Sequence, residues 1–140
     1  MYIRRAFYQN TLKHCGVNLS IEFGSFLTKP DIEIGNNVYI GAYCIIGNAV
    51  INDDVLIASR VSVLSGSRQH LKQEENESSI QKKPLFDKVL IGSGVWVGEG
   101  AIIMNSVGAG SIIGAGSVVV KEISDNVTAV GNPASVVAGV

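Results

Sequence analysis

Cysteine, proline, aromatic residues and charge are all scarce in this 140-residue sequence, in which only 16% of the residues are charged. Two cysteines, Cys15 and Cys44, are too few for the disulfide framework of a small secreted protein. The formal net charge of −1 and the lack of a basic stripe argue against nucleic acid as a partner. No apolar run approaches the roughly 20 residues of a membrane span. We therefore expect a reduced, cytoplasmic protein with no membrane span and no nucleic-acid partner.

Glycine and aliphatic residues, by contrast, are abundant, and together they mark a six-residue repeat. From Ile34 the units read IGNNVY, IGAYCI, IGNAV, INDDVL and IASRVS, and from Ile91 they read IGSGVW, VGEGAI, IMNS, VGAGSI and IGAGSV. An amphipathic helix repeats apolar residues every three to four positions, whereas a period of six with Val and Ile at the key places suits short strands joined by tight corners. Parallel stacking of such units predicts an all-β protein, a parallel β-helix of about five coils. The aliphatic side chains expected to form ladders inside it are Ile34, Ile40, Ile57, Ile91, Val97 and Ile113.

A strongly charged stretch interrupts the repeat in the middle of the chain. It contains five basic residues, four acidic residues and one histidine, a composition typical of a solvated loop. We expect one domain, 1–140, divided into an N-terminal helical segment at 1–16, β-helix coils at 17–65 and 89–132, and one long excursion loop at 66–88. A stretch of this length without repeats in a compact domain indicates either a functional loop or a disordered insertion.

Three stretches carry a family resemblance: IGSGVWVGEGAI (Ile91 to Ile102), IIGAGSVVVKEI (Ile112 to Ile123) and AVGNPASVV (Ala129 to Val137). With the opening RRAFYQNTLKHCGVNLSI, they resemble the hexapeptide-repeat acyltransferases, in the branch of the maltose, galactoside and xenobiotic acetyltransferases and especially the polysaccharide O-acetyltransferases. The resemblance implies a left-handed parallel β-helix with a short N-terminal helix, assembled as a homotrimer. It also implies acetyl-CoA as the co-substrate, a sugar or glycan as the acceptor, and no required metal.

The resemblance assigns the charged stretch as an active-site loop and His70 within it as the catalytic residue. His70 follows the repeat exit VSVLSG, in the place where the family keeps its general base. A histidine, with an unperturbed pKa of about 6.5, suits the removal of a proton from an attacking hydroxyl near neutral pH. The other histidine, His14, lies in the N-terminal segment.

The resemblance also implies a set of residues that contact the coenzyme. Trp96 matches a tryptophan that lies against the coenzyme arm, small residues match the path of the pantetheine, and the GNPA turn matches the adenine end. Packing at a subunit interface equally explains Trp96, and the sterics of tight corners equally explain the small residues. The implied contacts are Trp96, Gly98, Ala115, Gly116, Ser117, Lys121, Asn132 and Pro133.

The resemblance thus implies transfer of an acetyl group from acetyl-CoA to a hydroxyl of a sugar or polysaccharide precursor. An N-acetyltransferase acting on an amino-sugar nucleotide is the alternative among enzymes, and a non-catalytic β-helix scaffold is the alternative outside them. A zinc carbonic anhydrase on the same β-helix needs three histidines at each metal site, whereas this sequence contains two. An ice-binding β-helix would present threonine ladders, and the chain has only Thr11, Thr28 and Thr128.

Overall fold

The structure of the protein is a computed structural model that describes residues 2–65 and 88–140. Within these residues it contains one helix, α1 (Tyr2–Thr11), which at ten residues is not long enough to cross a bilayer. It also contains 16 short strands, in chain order β1 (His14–Cys15), β2 (Ser20–Ile21), β3 (Phe26–Leu27), β4 (Glu33–Ile34), β5 (Tyr39–Ile40), β6 (Ile45–Ile46), β7 (Ala49–Ile51), β8 (Leu56–Ile57), β9 (Ser62–Val63), β10 (Val89–Ile91), β11 (Trp96–Val97), β12 (Ile102–Ile103), β13 (Ile112–Ile113), β14 (Val118–Val119), β15 (Val127–Gly131) and β16 (Ala134–Gly139).

The strands form three sheets that the chain visits in turn. Sheet A contains β1, β4, β7 and β10, sheet B contains β2, β5, β8, β11, β13, β15 and β16, and sheet C contains β3, β6, β9, β12 and β14. The fifth coil passes sheet A through a single bridge residue, Val107. Each passage through A, B and C completes one coil, so the fold is a left-handed parallel β-helix of about five coils, and the antiparallel pairing of β15 with β16 ends it. Two-residue strands and four-residue corners produce the six-residue repeat.

Aliphatic side chains stack in register along the inside of each sheet. On sheet B, Ile40 aligns with Ile57, Ile57 with Val97, and Val97 with Ile113. All six aliphatic residues expected inside the prism have a relative exposure of 0%. Full burial of one such side chain stabilises a fold by about 1.5–3 kcal/mol, so these ladders form the core. The β-helix predicted from the repeat is confirmed.

The irregular units of the repeat all fall at the corner where sheet C leads back to sheet A. The five-residue unit IGNAV ends within β7, and Ile51 still aligns with Ile34. The four-residue unit IMNS ends before Val107, which still aligns with Ile91. The charged stretch also lies between strands of these two sheets, since β9 precedes it and β10 follows it. Length varies at this C–A corner because changes there leave the ladders in register.

Helix α1 packs against the first coil through one face. Tyr8 on that face, and Leu12 directly after the helix, are partly buried against the core. The first strand, β1, then pairs with β4, so the coils begin at His14, three residues before the boundary expected from the sequence. The repeat pattern conceals this start because Cys15 occupies the place of an aliphatic residue, aligned with Ile34.

Two of the three corners contain a residue with left-handed backbone in each coil, with φ between 53° and 75°. Glycine, asparagine and aspartate tolerate this conformation best. At the A–B corner the left-handed residues are Asn18, Asn37, Asp54, Gly94, Gly110 and Asn126. At the B–C corner they are Gly24, Tyr43, Arg60, Gly100 and Gly116. Tyr43 and Arg60 are therefore exceptions to the rule that the other nine positions follow.

Candidate functional site

The small residues expected to contact the coenzyme come together at the B–C corner of the upper coils. Gly98 directly follows β11, and Ala115 and Gly116 lie between β13 and β14, one coil further on. Gly98 packs so closely that a Cβ atom added to it would be 2.5 Å from the Ala115 nitrogen. A side chain at position 98 would therefore force the two coils apart.

The same corner exposes backbone that no side chain covers. Gly100 and Gly116 have φ of +70° and +68°, and a Cβ atom added to either would meet no atom within 4 Å. Ala115 is exposed, and in the described part of the chain its N–H has no hydrogen-bond acceptor. Gly100, Ala115 and Gly116 thus form a bare strip along two coils, next to the buried Gly98. An extended ligand on this strip can approach the backbone and accept a hydrogen bond from it.

Ser117 connects the bare strip to the C-terminal hairpin. Its side chain is buried, and its hydroxyl accepts a hydrogen bond from the Gly131 N–H at 3.1 Å. The next two residues, Asn132 and Pro133, form the exposed turn between β15 and β16 and are joined by a cis peptide bond. Ser117 therefore links the B–C corner to the C-terminal hairpin through a buried hydroxyl, and the Asn132–Pro133 turn directly follows the Gly131 that it binds.

Trp96 lies on the outer face of sheet B, two residues before Gly98. Its side chain is 51% exposed. Leu56 aligns with Trp96, and Tyr39 aligns with Leu56, and both are also exposed. The three side chains form an apolar stripe that leads to the bare strip. This position suits a wall beside a ligand on the strip, and it also suits packing against another subunit.

Lys121 stands apart from the other expected contacts. It is exposed and follows β14 by two residues, at the C–A corner. It lies four positions beyond Ser117 across sheet C, which corresponds to about 13 Å of extended chain. The structure therefore groups the expected contacts around the B–C corner and leaves Lys121 one corner away. His70, the expected base, lies outside the described residues.

An ion-pair cluster at the C–A corner was not expected from the sequence. Lys88 Nζ donates hydrogen bonds to Glu33 Oε1 at 2.7 Å and to the Asp31 carbonyl at 2.6 Å. Lys13 Nζ donates to the same Glu33 oxygen at 2.9 Å. The hydrogen bonds from Lys88 and Lys13 lower the pKa of Glu33 to about 2, and Glu33 in turn raises the pKa of Lys13. The cluster fixes the place where the chain rejoins the β-helix. Residues so far apart in the chain leave no signal in the repeat pattern.

Asn48 lies where the charged stretch leaves and rejoins the coils. Its N–H donates to the Ser65 hydroxyl at 2.9 Å, and its carbonyl accepts from the Val89 N–H at 3.1 Å. Its side-chain oxygen Oδ1 is buried and has no hydrogen-bond partner among the described residues. Buried polar atoms are nearly always paired, so the side chain of Asn48 is unusual. Like the Glu33 cluster, this feature was not revealed by the repeat pattern.

The described residues offer neither a metal site nor a reactive thiol. No group of three or more His, Cys, Asp and Glu residues in 2–65 and 88–140 is arranged to hold a metal ion. Burial raises the pKa of the Cys15 thiol and of the Cys44 thiol, which disfavours the thiolate form that reacts. The exposed backbone of the B–C corner is a feature of the described fold that suits an extended ligand.

Known proteins resemble this chain in both sequence and fold. Residues 31–65 match the family described as Bacterial transferase hexapeptide (six repeats). The galactoside O-acetyltransferase of Escherichia coli K12 is 35% identical over an alignment of 118 residues that covers 80% of this chain and 56% of that protein. The chain thus spans little more than half the length of that relative.

Two solved structures match the fold over nearly the whole chain. A galactoside acetyltransferase in complex with coenzyme A has a TM-score of 0.76 and 26% identity, and the match covers 97% of this chain and 69% of that one. A maltose O-acetyltransferase from Clostridium difficile 630 has a TM-score of 0.74 and 27% identity, with 98% and 74% covered. Repeat pattern, coil geometry and these similarities agree, and the chain belongs to the hexapeptide-repeat family of transferases.

Proposed function

We propose that the chain transfers an acetyl group from acetyl-CoA to a hydroxyl group of a sugar or polysaccharide precursor. The bare strip at the B–C corner is the observation that carries this proposal, because a long, thin pantetheine arm needs a path on which backbone is reachable and side chains do not intrude. The similar proteins support the same function, since they are galactoside and maltose O-acetyltransferases and the structure of one was solved with coenzyme A.

In this proposal the coenzyme extends along the B–C corner. The free Ala115 N–H donates a hydrogen bond to an amide carbonyl of the arm, and Trp96 covers one side of it. The adenine end lies toward the Asn132–Pro133 turn, so the acetyl end points toward the lower coils. Glycine at positions 100 and 116 keeps the path open, since neither residue adds a side chain to the exposed side of the corner.

His70 is the proposed general base. Its imidazole accepts the proton of the acceptor hydroxyl as that oxygen attacks the thioester carbonyl carbon. The carbon–sulfur bond then breaks, and the sulfur leaves as CoA thiol after it takes up the proton. The O-acetylated sugar and free CoA are the products, and no metal enters the proposed step.

A homotrimer with sites between subunits is part of the proposal. Lys121 and the two ends of the 66–88 stretch belong to the C–A corner, whereas the bare strip belongs to the B–C corner, so a complete site needs corners from two copies. The apolar stripe of Tyr39, Leu56 and Trp96 supplies surface for such a contact. From residue 89 to 120, Glu99 is the only charged residue in the sequence, so little charge opposes association.

A thiol-release assay with acetyl-CoA tests the function. The acceptors are monosaccharides, nucleotide sugars and oligosaccharides, and the products are analysed by mass spectrometry and by their lability to hydroxylamine. We expect acceptor-dependent thiol release and a hydroxylamine-labile ester. An alkali-stable amide would instead identify an N-acetyltransferase, and the absence of acceptor-dependent release across the panel would contradict the proposal.

A further inference from the structure

The lower half of the B–C corner departs from the pattern of the other left-handed positions. At the A–B corner all six left-handed residues are asparagine, aspartate or glycine, and at the B–C corner coils one, four and five have glycine. Coils two and three instead have Tyr43 and Arg60, with φ of 57° and 58°. A bulky side chain in this conformation is a genuine outlier, and such outliers concentrate at functional sites.

Packing within the chain does not account for a tyrosine at this strained position. The Tyr43 ring lies over Gly24, where an added Cβ would be 2.5 Å from the Tyr43 Cδ1 atom. It meets the Phe23 ring edge-on, with 5.7 Å between the ring centres. Yet Tyr43 remains 57% exposed and Phe23 69% exposed. More than half of each side chain still faces solvent, so both rings are available to a ligand.

Two arginines flank these rings. The Arg4 guanidinium lies 5.7 Å from the centre of the Phe23 ring and donates a hydrogen bond to the Glu22 carbonyl at 2.7 Å. Arg60 pairs with Glu99, and its side chain is 70% exposed. Together with Phe23 and Tyr43, the two arginines form what we call the aromatic corner.

The aromatic corner continues the bare strip. Glu99, the partner of Arg60, lies between Gly98 and Gly100 in the sequence, so the ion pair joins the two surfaces. Coils rise by about 4.8 Å each, and the aromatic corner therefore extends over about 10 Å below the strip, enough for more than one sugar ring. If the coenzyme occupies the strip as proposed, its acetyl end faces this lower half.

We infer that the aromatic corner is a subsite for the sugars of an acceptor glycan that are not themselves acetylated, so that the acceptor contains two or more linked sugars. Sugar rings have apolar C–H faces that pack against Tyr43 and Phe23, and their hydroxyl or carboxylate oxygens accept hydrogen bonds from the guanidinium of Arg60. The inference rests on the proposed function, because that proposal assigns the upper half of the corner to the coenzyme.

The test compares wild type with Tyr43→Asn, and Phe7→Ala is the matched control. Asparagine occurs at three left-handed positions of the A–B corner, so Tyr43→Asn removes the ring and relieves strain. Phe7, on α1, is an aromatic residue of similar exposure (60%) outside the aromatic corner. A glycan array of neutral, aminated and acidic mono- to hexasaccharides provides the probes, and calorimetry then measures the dissociation constants of the best oligosaccharide and of its monosaccharide unit.

We expect wild type and Phe7→Ala to bind one oligosaccharide at least tenfold more tightly than its monosaccharide unit, and Tyr43→Asn to lose that preference. The urea midpoint of Tyr43→Asn should be equal to or above that of wild type. The inference would be overturned by no length preference in wild type, by a preference that survives Tyr43→Asn, or by a lower urea midpoint for that variant. Acetyl-CoA titrations separate the two proposals, since failure of wild type to bind acetyl-CoA contradicts the proposed function, whereas glycan binding is measured without it.

Discussion

Glycine-to-alanine substitutions at two equivalent corner positions distinguish the stability cost of left-handed backbone from an effect on coenzyme binding. Gly116 at the B–C corner and Gly94 at the A–B corner have φ of +68° and +71°, and an added Cβ meets nothing within 4 Å at the first and only the Gly110 Cα at 3.9 Å at the second. Alanine at either position therefore adds no steric clash with residues 2–65 and 88–140. It costs about 1–2 kcal/mol of folding free energy for the left-handed conformation alone.

The two variants should differ only in coenzyme affinity. Gly116→Ala places its methyl group on the proposed pantetheine path, where overpacking costs about 1–3 kcal/mol. This cost corresponds to a roughly 5- to 150-fold larger dissociation constant for acetyl-CoA. Gly94→Ala should bind acetyl-CoA like wild type. Urea unfolding at one protein concentration measures stability, and calorimetric titration measures affinity. Equal acetyl-CoA affinity in the two variants would refute the assignment of the coenzyme to the bare strip, and a much larger stability loss in one variant would refute the claim that the corners are equivalent.

Three further predictions concern the charged and titrating groups. His70→Ala should lower kcat by at least about a hundredfold with the urea midpoint unchanged, and retention of more than about a third of wild-type kcat would remove His70 as the base. Lys121→Ala should raise the KM for acetyl-CoA by no more than about tenfold and leave kcat unchanged, and an unaltered KM at low salt would show that other groups hold the phosphates. Because Lys88 and Lys13 hold the pKa of Glu33 at about 2, below its ordinary 4.5, the stability from this ionised carboxylate is present above pH 4.5 and is lost as the pH falls toward 2. The urea midpoints of wild type and Glu33→Gln should therefore converge over that window, and a constant difference would contradict the role of the ionised cluster.

The ladders of the β-helix could be predicted from the sequence because they depend only on period. Ile40 and Ile57 are 17 residues apart and Val97 and Ile113 are 16 apart, close to the length of three hexads, so each pair stacks on one sheet. Length changes at the C–A corner do not disturb this alignment. The start of the first coil could not be located in the same way, because Cys15 does not resemble the aliphatic residues above it.

Features that depend on contacts between distant residues escaped the repeat pattern. The Glu33–Lys88 pair joins a residue of the second coil to the last residue of the charged stretch, and nothing in the repeat pattern indicates that they are partners. The strained backbone of Tyr43 and Arg60 can be recognised only from the φ angles in the structure. Lys121 was grouped with the coenzyme contacts by resemblance, and only the coil geometry shows that it lies at a different corner from Ala115. The role of His70 stays a prediction.

Amide hydrogen exchange with and without saturating acetyl-CoA tests the central claim most directly. The Ala115 N–H has no acceptor within the described chain, so it should exchange quickly in the free protein and slowly in the complex. We predict that protection on binding is concentrated in residues 98–100, 115–117 and 131–132 of the B–C corner, with no change at the A–B corner around Gly94. Protection at the A–B corner instead, or unchanged exchange at Ala115 when the protein is saturated with acetyl-CoA, would contradict the account.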